Sequence, residues 1–285
     1  MSEENKDNID PAEEPQEEQQ EPVQEWEAPP IPEQIEADEK EEPEMSEVAT
    51  LGNVFIEPGR TFEDLRRKPR WIIAFVIFAV ALMGFSIAFQ QKVGEDAIRR
   101  FIAQQQDRSP QMQSASEDQK RQGVEFALTI QKVATYAMPI FILFSFLIGG
   151  LFYWVGTKMM GGTARFTHGL SVFAYSTFAP GLVSTVANFI VLLIKPAEEI
   201  DIASSQRGLI NANPTMFLDG KEMPVLATVI SNIDLFVIWG LVLAAIGLRK
   251  VAGISAGSAW AIVLVLNLIL LAFRVLGAYF NGVPS

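Results

Sequence analysis

No cysteine occurs among the 285 residues, and histidine occurs once, at His168. The first absence excludes disulfides, thiolate metal sites and cysteine nucleophiles, and it leaves the redox compartment unreadable. The second removes histidine-clustered metals and serine–histidine catalysis. Only one aspartate, Asp234, falls within an apolar run, so a paired intramembrane aspartyl centre is excluded as well. The glycine pairs Gly149–Gly150 and Gly161–Gly162 are without the strand-to-helix setting and the lysine of a phosphate loop. They read as close packing and as a turn. No catalytic residue, cofactor or metal site is predicted, and His168 reads as a solvated residue at the membrane surface.

Basic residues are nearly missing from the beginning of the chain. Positions 1–48 hold 19 of the 34 acidic side chains but only 2 of the 22 basic ones, a net −17. The other 237 residues are mildly basic, at +5. The 1–48 segment is rich in Glu, Gln and Pro and poor in apolar residues, so it cannot bury enough surface to offset the entropy of ordering. It reads as a disordered acidic tail, serving either as a solvating spacer or as a docking tail. A cleavable signal peptide is not expected, because the first apolar run starts only at residue 71, behind this acidic segment.

Five apolar runs fill the remainder, at about 71–89, 133–156, 170–194, 225–248 and 259–280. Each approaches the ~20 residues a helix needs to cross a hydrocarbon core about 30 Å thick. Backbone groups in lipid must be satisfied within the segment, and the alternation of a β-barrel is absent. The predicted fold is all-α: a polytopic five-transmembrane-helix bundle over 49–285, preceded by the disordered acidic tail.

Cations crowd at one point, where Arg60, Arg66, Arg67, Lys68 and Arg70 precede Trp71. Thr61 and Asp64 have capping-box spacing there, and Phe62 and Leu65 can share a face, so residues 49–70 read as a short interfacial element. Arg66, Arg67, Lys68 and Arg70, with Trp71 in the aromatic belt, are predicted to anchor the chain to lipid headgroups and to set topology. A nucleic-acid patch does not fit a cluster that abuts a membrane span.

The loops agree with a cytoplasmic N-terminus. Loop 157–169 carries Lys158 and Arg165 and loop 247–258 carries Arg249 and Lys250, both without acids, whereas 195–223 has three bases and five acids. The long first loop, 90–132, is nearly neutral, and long loops weigh less in the rule. The C-terminus then lies outside, and a prokaryotic chain of this type sits in the inner membrane. Ser116 and Gln119 have capping-box spacing, and "DRSP" at 107–110 reads as a turn. That loop is therefore expected to be a helical hairpin.

Three polar residues inside the runs are costly there. Asn188, Asp234 and Arg274 all fall in the outer half, about 9, 13 and 9 Å from the outer ends of their spans at 1.5 Å per residue. They form an intramembrane polar cluster on paper, either an Asp234–Arg274 ion pair fixing helix register or a transport site between spans three, four and five.

The chain resembles the YIP family (Ypt/Rab-interacting multi-pass membrane proteins), in its prokaryotic branch. The resemblance rests on "NVFIEPGRTFEDLRRKPRW" before the first span, "TKMMGGTARFTHGLSVFAYSTFAP" entering the third, and "SNIDLFVIWGLVLAAIGLRKVAGIS" through the fourth. It covers roughly 50–280 and implies five transmembrane helices, a cytoplasmic N-terminus and no catalytic residues. Eukaryotic members of similar fold engage Rab-type GTPases, but the Asp-Leu-Tyr-Gly-Pro type motif that they carry before the first span is lacking here, so GTPase binding is not carried over. The expected role is a non-enzymatic scaffold or adaptor that organises partners or lipids at the cytoplasmic face, with a small transporter or channel as the alternative. The expected partners are the lipid bilayer and a protein whose identity the sequence leaves open, as it does homo-oligomerisation. No nucleic acid is expected.

Overall fold

A computed structural model describes residues 42–281, apart from 109–111, 113, 206–207, 211 and 218–222. The chain divides into Met1–Lys40 and Glu41–Ser285, and all described residues belong to the second unit. The predicted disordered tail up to residue 41, the turn at 109–110 and the C-terminal end from 282 lie outside the described residues.

Only helix occurs among the regular elements described. Two short helices, α1 (Glu47–Asn53) and α2 (Pro58–Arg67), precede the first span, α3 (Ile72–Val93). Next come α4 (Glu95–Arg108), α5 (Glu117–Met159), α6 (Phe166–Ile194), α7 (Pro224–Ser231), α8 (Leu235–Ala252) and α9 (Ala256–Asn281). Five of these, α3, α5, α6, α8 and α9, are long and apolar enough to cross a membrane. The protein is an integral multi-pass membrane protein.

Helix α6 is central and packs on α3, α5 and α8. Small residues allow the close approach. A Cβ on Gly150 would stand 2.7 Å from the Leu170 Cα, so α5 and α6 touch backbone to backbone there. Phe146 anchors the same contact, its ring 5.6 Å from both Phe75 and Phe173 and 6.1 Å from Phe78. Gly161, at φ 78°, makes the turn between α5 and α6.

One element differs from its expected form. Helix α5 runs unbroken from Glu117 through the second apolar run, started by the expected Ser116–Gln119 capping box, and α4 packs against it, with Arg99 paired to Glu125. The hairpin expected from the first loop is thus present. The fourth span, expected as 225–248, is two helices with a break at 232–234, and the membrane-length helix begins at Leu235.

Candidate functional site

Polar side chains concentrate at the two ends of the bundle. One end carries α1, α2 and the 160–165 and 253–255 turns, which are joined by a Thr163 N–H···O=C Ala252 bond of 3.2 Å and a Lys250–Glu63 ion pair. It is called the N-terminal face below.

Helix α2 starts at Pro58, whose missing N–H and fixed φ suit the first helical position. Thr61 is therefore inside the helix, donating to the Glu57 carbonyl at 3.2 Å, and not an N-cap. Asp64 is not its capping partner either. The Asp64 carboxylate forms an ion pair with Arg70 and accepts the backbone N–H of Glu44 at 2.6 Å and of Met45 at 3.2 Å. Arg70 in turn donates to the Met45 carbonyl at 2.9 Å. Only 1% of the Asp64 side chain and 9% of the Arg70 side chain is exposed. This buried constellation ties residues 44–45 to the start of the first span.

The predicted headgroup anchors therefore do different work. Arg70 is an internal tie. Arg67 pairs with Glu44, which also meets Arg60 at 3.4 Å, and these guanidinium groups, Arg67 foremost, hold the Glu44 carboxyl below its ordinary value. Arg66 and Lys68 are exposed. The Arg66 carbonyl accepts from His168 Nε2 at 3.1 Å while His168 Nδ1 accepts the Arg165 N–H at 3.0 Å. His168 is thus engaged on both ring nitrogens, and not simply solvated. Trp71 flanks α3 and packs on Phe75 at 5.9 Å. Beneath them Phe62 and Leu65 are fully buried, and Phe62 fills the space left by Gly247, where a Cβ would come within 2.9 Å of its ring.

At the opposite end, Asn188, Asp234 and Arg274 make no hydrogen bond or ion pair with one another. Asp234 is the N-cap of α8: its Oδ1 accepts from Phe236 N at 2.8 Å and Val237 N at 3.4 Å. Leu235 N donates to the Ala212 carbonyl at 3.2 Å and Ile238 N to that of Asp234 at 2.9 Å, so all four leading N–H groups of the helix are satisfied. Asn213 donates to the other Asp234 oxygen at 3.3 Å. Arg274 donates to Ser231 Oγ at 3.1 Å, beside the last turn of α7. The carboxylate thus meets a helix N-terminus and the guanidinium approaches a helix C-terminus, each matched to the sign of the dipole. That disposition replaces the expected ion pair. Asn188 holds other irregular backbone: its Oδ1 accepts from Leu209 N and, at 3.1 Å, from Ile210 N, while its Nδ2 donates to Ser184 O at 2.7 Å.

Sequence reasoning gave Asp64 a capping role in place of its tie to residues 44–45, and it missed Glu44 and Gly247. Gly247 gave no signal, and the bonds of Asp64 to Glu44 and Met45 span 20 and 19 residues. No group of three or more His, Asp or Glu residues capable of holding a metal exists among the described residues.

The Yip1 domain model matches residues 52–278. The chain belongs to the Yip1 domain family. The match begins before the first span, ends within the fifth and includes Asp64, Arg70, Asn188, Asp234 and Arg274, while Glu44 and Met45 precede it. "Membrane protein YknW" of Bacillus subtilis (strain 168) is 28% identical over 249 residues, which is 87% of this chain and 97% of that protein. No solved structure matches.

Proposed function

We propose that this Yip1 domain protein is a non-enzymatic membrane scaffold that presents its acidic N-terminal residues to protein partners at the cytoplasmic face. The observation that supports this reading is the Asp64–Arg70 constellation. It fixes Glu44 and Met45 by backbone bonds, at the place where the acidic segment joins the bundle. A chain serving only as a loose spacer gains nothing from so firm an attachment. The buried polar groups at both ends of the bundle satisfy backbone, which is a structural use.

A second reading has its own observation. Discontinuous helices inside a membrane expose helix ends that can hold ions or substrate, and the fourth span is broken at 232–234. Reconstitution separates the two. The purified chain in sealed vesicles loaded with a pH- or ion-sensitive dye should dissipate no gradient beyond that of empty vesicles. Photocrosslinks placed at Val48 should capture a partner in cells, and deletion of residues 1–41 should abolish capture while leaving insertion unchanged. A flux that Asp234→Ala removes would establish the transport reading instead.

A further inference from the structure

The turn between α1 and α2 reaches deeper than the surface of the bundle. The Phe55 ring lies 6.1 Å from the rings of both Phe178 and Trp239, edge-on to each. Phe178 is 12 residues into α6 from its Phe166 start, and Trp239 is 13 residues from the Ala252 end of α8. At 1.5 Å per residue these side chains spring from points about 18 and 20 Å inside the helix ends. The membrane boundary on this face is marked by Arg249 and Lys250 in the last turn of α8. Allowing for the length of the rings, Phe55 still sits roughly 10 Å beyond that boundary, within a half-bilayer about 15 Å deep.

The N–H groups of this turn are bonded internally, as donors in lipid must be. Val54 N donates to Thr50 O at 3.3 Å, Phe55 N to Gly52 O at 3.3 Å, Ile56 N to Asn53 O at 3.1 Å and Glu57 N to Asn53 O at 2.8 Å. Pro58 has no N–H to satisfy. The Glu57 carbonyl accepts from Thr61 N at 3.1 Å and from the Asn53 side chain at 3.3 Å. The Glu57 carboxylate meets Arg60 at 3.8 Å, and Arg60 meets Glu44 at 3.4 Å, a line of charges leading back to the base of the segment. With these donors met, Ile56 is 80% exposed. A wholly apolar side chain this exposed, beside a ring already seated among the spans, continues their lipid-facing surface.

We propose that residues 54–56 form a re-entrant tip seated in the hydrocarbon of the leaflet on the N-terminal face, with Ile56 in direct contact with acyl chains. The segment before the first span is then a membrane-embedded element held by the Asp64–Arg70 tie. Its occupant is lipid, whatever protein partner the acidic residues engage.

The absence of native cysteine makes the test direct. Ile56→Cys carrying a nitroxide, in the full chain reconstituted in phosphatidylcholine vesicles, is compared with labels at Val76→Cys in the first span and Glu42→Cys before α1. Collisions with oxygen and with a water-soluble nickel chelate are measured. The tip label should show high oxygen and low nickel accessibility, matching Val76→Cys and inverse to Glu42→Cys. High nickel accessibility would place the tip in water and overturn the proposal. Low accessibility to both would mean protein covers it, which overturns the lipid assignment equally. Should Ile56→Cys fail to insert, Phe55→Tyr gives a second reading. A ring in hydrocarbon predicts lower thermal stability for the buried hydroxyl, and no change would count against the depth assigned.

Discussion

At the N-terminal face Asp64 and Arg70 are matched to one another, whereas at the opposite face Asp234 and Arg274 each meet the end of a broken helix. Asp64 and Arg70 are buried together, and each also holds the backbone of residues 44–45. Asp234 and Arg274 lie close in the sequence-derived depth scheme, yet the first caps α8 and the second reaches Ser231 at the end of α7. The contrast shows that opposite charges at one depth need not pair. A helix terminus inside the membrane leaves N–H or C=O groups unmet, and a charged side chain satisfies them as well as a counter-ion would. A direct buried pair is mutually dependent, while charges serving separate helix ends act independently.

Removing one member of the dependent pair should have the largest effect. Arg70→Met strands a buried carboxylate and should cost about 3–5 kcal/mol. Thermal unfolding in detergent reads it, and proteolysis near residue 45 should rise as the tie is lost. Overfilling the same face comes next. Gly247→Leu would bring a Cβ to 2.7 Å from Val172 and 2.9 Å from Phe62. Displacing α2 in this way should cost about 1–3 kcal/mol, with labelling of a cysteine at Glu63 reporting the movement. The opposite face should respond less. Asp234→Ala removes an N-cap worth about 1 kcal/mol, while Asp234→Asn, an equally good cap, should be close to neutral. An ion pair would instead make the asparagine variant as damaging as the alanine one.

The smallest effect concerns acid. Glu44 is held below its ordinary 4.5 by Arg67 first and Arg60 second. A depressed carboxylate stabilises the folded state above its unfolded value and loses that contribution as pH falls through the folded one. Glu44→Gln should therefore flatten the decline in unfolding temperature below about pH 5, an effect that surface screening keeps small.

Much of this architecture is legible in the sequence, because lipid imposes length and apolarity on each span and hydropathy reads both. The break at 232–234 is hidden from that measure: two polar residues between apolar flanks barely change a long average. The local signal is present all the same, since Asp234 directly precedes the apolar run at Leu235 and reads as an N-cap when boundaries are sought within the span. The tie at Asp64 is different in kind. Its partners are backbone N–H groups about twenty residues upstream, in a stretch whose composition suggests only charge, and no periodicity reports such a contact. The depth of Phe55 is hidden likewise, because it depends on where Phe178 and Trp239 fall along helices that the turn meets only in three dimensions.

The central contrast is tested most directly by two double-mutant cycles run side by side, Asp64→Asn with Arg70→Met and Asp234→Asn with Arg274→Gln. Unfolding free energies for the first pair should depart from additivity by about 0.5–3 kcal/mol, and those for the second should add within about 0.5 kcal/mol. Strong coupling in the second cycle and additivity in the first would contradict the account.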